Sequence, residues 1–553
     1  MDTAWIREYV GWAELDPVTP VVAGTYGTWT LTYHVGKYGV DDGGTIVVCV
    51  RTACDWGRPQ LEDPQAPDYL TVTTTGQASL RVRYDPKAYI RPWPKGIVID
   101  VYDGYLSPGD TVTIIYGDRS QGSPGSRAQT FCEKTFEFRV VVDCFGTEQY
   151  IHLPDTPTLE IISGPAAKLV AILPAEVTPD EEAWMLVKAE DRWGNPAAGY
   201  TGNVTFAAEI PVQGLPSTYR FTPDDQGCHR FSGLRFSQPG VYRIRVEDKE
   251  QGFSAESNPL VCRSTPPLFR PYWGDLHGQS EETVGTNSVE DYFRFAKEKS
   301  GIDFCGHQGN DFQITAEVWA EIQRCVQHFY EPGRFVTFLG YEWSGNTCAG
   351  GDRNVFFLAD RAPIFRSSHW QVADKSDQET DCYPLPVLYE RLRGQEVILV
   401  PHIGGRRANL DFFDPALEPV IEIHSAWGTF EWFWEEALRR GYRVGVVANS
   451  DGHKGRPGAS YPGASQFGVY GGLTCIYARE LTREALWEAL KQRRVYGTTG
   501  ERILLMVRCG EHWMGEEFGV TEPPTIRVSV IGTAGIEQME LRRGLETIHT
   551  VAP

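Results

Sequence analysis

The chain has 553 residues, a formal net charge of −21 and a sequence pI near 5.1, a length that calls for several hydrophobic cores rather than one. Hydrophobic residues make up 41% of it and charged residues 23%, which excludes a largely disordered chain. The acidic excess also excludes nucleic acid and anionic membrane surfaces as partners, because phosphate binding asks for clustered Lys and Arg.

The N-terminal stretch MDTAWIREYVGW carries no apolar run, and no segment approaches the roughly 18 apolar residues of a membrane span. A cytoplasmic address is therefore expected. The 12 cysteines are scattered without a CxxC pair, so they read as buried thiols rather than as staples or a structural zinc site. Cys49 with Cys54, and Cys132 with Cys144, are the pairs an oxidising setting would allow.

Residues 1–157 alternate in short segments such as TVTIIYG (Thr111 to Gly117) and FEFRVVV (Phe136 to Val142), broken by SPGD and SQGSPGS. Period-2 alternation punctuated by turn residues predicts an antiparallel β-sandwich. Residues 158–263 continue with KLVAILP and GVYRIRVED, and DRWGNP (Asp191 to Pro196) followed by GYTGNVTF resembles immunoglobulin-like and filamin-like modules, which implies a second sandwich and says little about activity. The proline-rich RSTPPLFRP (Arg263 to Pro271) reads as a linker.

From 264 to 505 strand-like runs alternate with helical ones. Ser288 caps one predicted helix and Thr315 another, in which Val318, Ile322, Val326 and Phe329 form an apolar stripe. The runs IDFCGH, RFVTFLGYE, NVFFLA, EVILVPH, VIEIHS, RVGVVANSDGH and LTCIYA predict a mostly parallel sheet, open or closed into a barrel. Residues 506–553 return to strand-like pieces and predict a small β extension.

His277, His307, His402, His424 and His453 all fall at the C-terminal ends of predicted strands, with Asp275, Glu342, Glu422 and Asp451 in the same positions. In parallel α/β folds these ends converge on one face, where sites are built. Imidazole mixed with carboxylate suits zinc, manganese or iron better than calcium. A site of one to three divalent transition-metal ions is expected.

The ordered series GDLHGQS (Gly274 to Ser280), GIDFCGHQGND (Gly301 to Asp311), GYEWSG (Gly340 to Gly345), PHIGG (Pro401 to Gly405), IEIHS (Ile421 to Ser425) and NSDGH (Asn449 to His453) resembles the polymerase-and-histidinol-phosphatase (PHP) superfamily, in a branch of large PHP-like proteins. The resemblance implies a distorted, TIM-like (β/α)7 barrel holding up to three zinc, manganese or iron ions and cleaving phosphate esters. Carried over by position, it makes His277, His402 and His424 ligands, Glu342 a bridging carboxylate, and Asp451 with His453 the closing pair. Where the family has His-x-His this chain has Gln279, a weak ligand, and in the second motif it offers His307, Asn310 and Asp311.

The expected function is hydrolysis of a small phosphate ester by a metal-activated water, with Asp451 or a loosely held histidine such as His424 moving the proton. Arg406, Arg407, Lys454, Arg456 and Arg502 supply candidate phosphate contacts, and Tyr496 a candidate wall of the mouth. Two alternatives stand beside it: hydrolysis of an amide, lactone or ester, and a non-catalytic scaffold with a degenerate barrel. A small-molecule substrate is the expected partner, with a homo-oligomer left open. The aromatic run SAWGTFEWFWEE (Trp427 to Glu436) reads as a helix packed on the barrel or as an apolar wall.

Overall fold

A computed structural model describes residues 2–461 and 469–553. Strands account for 37% of the structure and helices for 13%, with six α-helices among the described residues. Two compact units emerge, one of residues 2–164 and the other running from Pro165 onward.

The N-terminal unit is a sandwich. Gly11–Asp16, Trp29–Val35, Thr111–Tyr116 and Leu70–Thr74 make one sheet, in which Trp29–Val35 buries every second side chain. Ile151–His152, Arg139–Asp143, Thr45–Val50, Lys95–Tyr102 and Ser79–Asp85 make another. Thr158–Ile162 pairs with Glu133–Glu137 and, in parallel, with Val21–Val22, so this unit runs a few residues past 157.

The second unit opens with three small sheets, in one of which Lys168–Ile172, Glu182–Glu190 and Cys228–Arg235 run antiparallel. Its core joins Leu169, Val187, Phe231 and Val246, and Asp191 accepts the backbone N–H groups of Trp193 and Asn195 in the DRWGNP turn.

Thereafter come β1 (Arg270–Asp275), α1 (Val289–Lys299), β2 (Phe304–Gly306), α2 (Ala316–Phe329), β3 (Val336–Trp343), β4 (Arg353–Phe357), α3 (Leu385–Leu392), β5 (Val397–Pro401), β6 (Val420–Ser425), α4 (Glu431–Arg439), β7 (Gly445–Ala448), β8 (Leu473–Ala478), α5 (Arg483–Lys491) and β9 (Val495–Thr498). Ser288 and Thr315 cap α1 and α2 as expected. Ile322, Val326 and Phe329 bury the α2 stripe, and Val318 packs at its margin.

The (β/α)7 barrel expectation is overturned. The main sheet has the order β5-β4-β3-β2-β1-β8-β9, and only β1–β2 and β2–β3 are parallel. β3 returns directly through a hairpin into β4, and β8 runs against β1, so the sheet curls into a half-barrel. β6 and β7 pair in parallel in a separate small sheet with Gly428–Thr429. The runs were strands, but fully buried strands such as β4 show no alternation, and hydrophobicity alone does not encode strand direction.

The tail forms Leu504–Cys509 with Ile526–Ile531, then the exposed hairpin Met539–Arg543 and Glu546–Val551. All 12 cysteines are free thiols, Cys49, Cys54, Cys132 and Cys144 among them. No helix of the described residues is long and apolar enough to cross a membrane.

Candidate metal centre

Two loops are fastened together to make the site. Asn449 accepts the backbone N–H of Leu276 at 2.8 Å, Ser450 donates its hydroxyl to the His277 carbonyl at 2.9 Å, and Gln279 donates its backbone N–H to Gly452. Asp275 takes the backbone N–H groups of Ser450 and His277 on one oxygen and that of Gly458 on the other. Its role is to hold GDLHGQS against NSDGH. Asp451 itself sits at φ +44°, a strained backbone that persists only where the surroundings fix it.

Buried in this junction, two groups of side chains each offer three ligand atoms within 4.8 Å of one another: His277, His402 and Asp451, and Glu342, Asp352 and His402. His402 belongs to both. These buried groups are able to hold a metal ion.

The first group is built of atoms that lack other work. Glu422 accepts from His277 Nδ1 at 3.1 Å and is itself held by the Asn449 amide at 2.7 Å. This fixes the tautomer that leaves Nε2 free for a cation. His277 Nε2 faces Asp451 Oδ1 at 3.3 Å, yet neither atom has a hydrogen-bond partner among the described residues, and neither ring nitrogen of His402 has one. Buried polar atoms are ordinarily satisfied, so this concentration of unmet atoms fits a cation.

The electrostatics agree. Burial alone would lower the pKa of His277, but Asp451 and Glu422 outweigh it and push it up to about 10, so without an ion Nε2 carries a proton, and a cation drawn by the same carboxylates would take that proton's place. His402 is driven well below its ordinary value by burial beside His277, Arg353 and Arg406, and stays a neutral, ligand-competent imidazole. Burial raises Asp451 to about 6, against the pull of His277.

The second group is already paired. Arg406 donates its backbone N–H and Nε to Asp352 at 2.8 and 2.6 Å, and Nη2 reaches Glu342 at 3.4 Å. The other Glu342 oxygen accepts from the amides of Gln279 and Asn310 at 3.0 and 2.8 Å. Burial beside Asp352 raises the Glu342 pKa well above the carboxylate range. Gly404 passes so close that a Cβ there would meet the His402 ring at 3.1 Å.

The other expected residues fall elsewhere. Both ring nitrogens of His424 are engaged, by the Thr429 hydroxyl at 2.7 Å and the Tyr470 carbonyl at 3.1 Å. His307 meets the Ser280 hydroxyl at 2.8 Å, and burial lowers it to about 3. His453 turns Nδ1 to the Asp451 carbonyl, 2.9 Å away, with the Asp451 carboxylate at 3.9 Å. Gln279 donates to Glu342 and accepts from Thr283, acting as a linker of side chains.

Asp311 anchors a loop by accepting from the N–H groups of Phe312 and Ser367. Arg407 stacks on Trp432 and pairs with Glu436 of α4. Lys454 donates to the Tyr461 carbonyl, Arg456 to that of Trp193, and Arg502 to those of Ser300 and Gly301. Tyr496 is in the core, donating to Ile503, so it lines no mouth. Asp352 was missed; its one sequence signal is an acid set between GG and the NVFF strand. In the aromatic run, Trp432, Phe433 and Trp434 are helical in α4, with Phe433 buried against Ala408 and Ile421.

Comparisons with known proteins follow this geometry. A family described as "Protein of unknown function (DUF3604)" matches residues 269–409 and 456–523, spans that include His277, Glu342, Asp352, His402 and Arg406. The β-rich half-barrel corrects the expectation of a TIM-like barrel, and the matched family gives the PHP and hydrolase terms no support. Two solved structures, an adhesin InvE of Yersinia pseudotuberculosis and the D0-D1 domain of intimin, each cover 45% of this chain, and 58% and 96% of their own, at 13% identity with a TM-score of 0.15, too low to carry an argument. Two proteins named "Uncharacterized protein", from Chlamydia muridarum and Chlamydia trachomatis serovar D, are 26% and 25% identical over 97% of this chain and 90% of theirs, and a Chlamydia pneumoniae protein is 28% identical over 81% of this chain and 76% of its own; the chain is similar to all three along most of its length.

Proposed function

We propose that the chain is a metal-dependent hydrolase of a small ester, holding one divalent transition-metal ion, zinc, manganese or iron, on His277, His402 and Asp451. The observation that carries this reading is the set of buried, unpartnered ligand atoms on those three residues. Such an ion supplies Lewis-acid activation of water and polarises the bond under attack. Glu422 holds His277 in the required tautomer. Glu342 Oε1 lies 3.9 Å from His402 Nε2, which places a carboxylate oxygen beside the ligand set, where it would accept the proton of the attacking water.

The first substrate class is a phosphate ester, contacted by Arg406. A second reading, hydrolysis of an amide, lactone or carboxylic ester, is favoured by one observation: the two arginines after PHIGG already face carboxylates, Arg406 on Asp352 and Arg407 on Glu436, which spends the charge nearest the site.

The test is elemental analysis of the purified chain, with release of nitrophenol from phosphate monoesters, phosphate diesters and acetate before and after EDTA. One ion per chain and turnover that EDTA abolishes support the reading. A chain that holds less than one ion after manganese and zinc supplementation is a scaffold and overturns it.

A further inference from the structure

The N-terminal unit contains a cavity of about 300 Å³, at the lower end of small-molecule pockets. Its buried lining includes Val48, Ile97, Trp56, Tyr116 and Phe138, while Tyr84, Lys95 and Arg127 are half-buried and Arg58 is exposed. The deep part is thus aromatic and aliphatic, and the mouth is cationic in a chain of net charge −21.

The charges are not cancelled within the lining. Asp55 is its one carboxylate, and both its oxygens turn to Thr130, one to the backbone N–H at 2.8 Å and one to the hydroxyl. Lys95 donates to the Cys54 carbonyl at 2.5 Å and Arg127 Nη2 to the Asp55 carbonyl at 2.6 Å. These contacts hold the Cys54–Pro59 segment and leave the positive charge in place. Arg127 Nη1 is shielded from solvent and has no acceptor among the described residues, an expensive state for a charged donor.

We propose that this cavity binds a small organic anion with a flat apolar body, of the aryl or heteroaryl carboxylate class. The rings of Trp56, Tyr116 and Phe138 take the body, and Arg127 with Lys95 takes the carboxylate. An inorganic anion would leave the aromatic wall unfilled, and a neutral ring would leave Arg127 unmet.

The experiment is calorimetric titration of the full chain in EDTA with indole-3-acetate as the probe, and with 3-methylindole and sulfate as its two halves. Indole-3-acetate is expected to saturate one site per chain and to bind more tightly than either half. Arg127→Met weakens it by about tenfold or more, as expected for one charge-assisted hydrogen bond. Arg58→Met, at an exposed position that holds no loop, weakens it less and guards against a folding artefact in the first variant. No saturable site, 3-methylindole binding as tightly as indole-3-acetate, or undiminished binding in both variants overturns the proposal.

Discussion

Arg406 grips Asp352 twice, through its backbone N–H at 2.8 Å and through Nε at 2.6 Å, while Nη2 reaches Glu342 at 3.4 Å. A guanidinium placed between two carboxylates does what a cation would do there. Glu342 and Asp352 are not among the residues with buried unpartnered side-chain atoms, whereas His277, Asp451 and His402 are. Arg406 thereby closes half of the cluster, and the half that remains open is the one on His277, His402 and Asp451.

Removing that guanidinium should open the second position. Arg406→Gln is expected to raise the metal content from one ion per chain to two in zinc or manganese, read by elemental analysis after desalting, while Arg406→Lys stays at one. Two ions in the wild type, or one in Arg406→Gln with its fold retained, would show that Arg406 does not set the count.

The histidines separate by their hydrogen bonds. His402→Ala removes a ring that makes none, so metal affinity should fall by about 10- to 100-fold or more, with the metal-free protein destabilised only by the cavity left behind, about 2–4 kcal/mol. His424→Ala breaks contacts to Thr429 and Tyr470 and should leave the metal content unchanged. Isotherms for zinc on the two variants check both, and equal losses would return His424 to the ligand set.

His277, His402 and Asp451 were legible in the sequence because each follows a strand end: β1, β2 and β3 are parallel, two antiparallel steps return β5 to the direction of β3, and β7 runs parallel to β6. Asp352 was not, because its approach to Glu342 depends on the β3–β4 hairpin, whose strands are buried on both faces and carry no period. His424 holds a strand-end position too, but position does not say what its ring meets, and the short return Gly428–Thr429 captures it. Arg407 follows Arg406 in the chain yet reaches α4 instead of the site. The helix caps were readable since Ser288 and Thr315 act on their own next turn.

Directly after Asp352, the fully buried Arg353 pairs with Glu418 at 2.9 Å and donates to the carbonyls of Gly350, Asn409 and Phe412; Tyr389 also donates to Glu418. This knot ties the start of β4 to the loops after β5. Breaking one partner of a buried pair leaves the other charge uncompensated, at a cost of about 3–5 kcal/mol. Arg353→Met should therefore destabilise the second unit by that amount and loosen Asp352, seen as faster hydrogen exchange in residues 350–357 and 409–418. Unchanged protection there would mean the pair contributes packing alone.

Glu137 gives the N-terminal unit an acid-sensitive element. Burial alone would raise its pKa, but His152, Arg139 and Thr156 outweigh it and hold the carboxyl down to about 2. Arg139 donates to both its oxygens at 2.9 and 3.2 Å, and Thr156 at 2.7 Å. A folded pKa below the unfolded value makes a contribution that is complete above about 4.5 and is lost as the pH falls through 4.5 toward 2. Its upper bound at pH 7 is about 3 kcal/mol, from 1.36 kcal/mol per pKa unit. Glu137→Gln should therefore melt lower than the wild type at pH 7, and the gap between the two should narrow below pH 4.5, to less than half by pH 3, and nearly close by about pH 2; a gap that is constant with pH would assign the loss to hydrogen-bond geometry and not to charge.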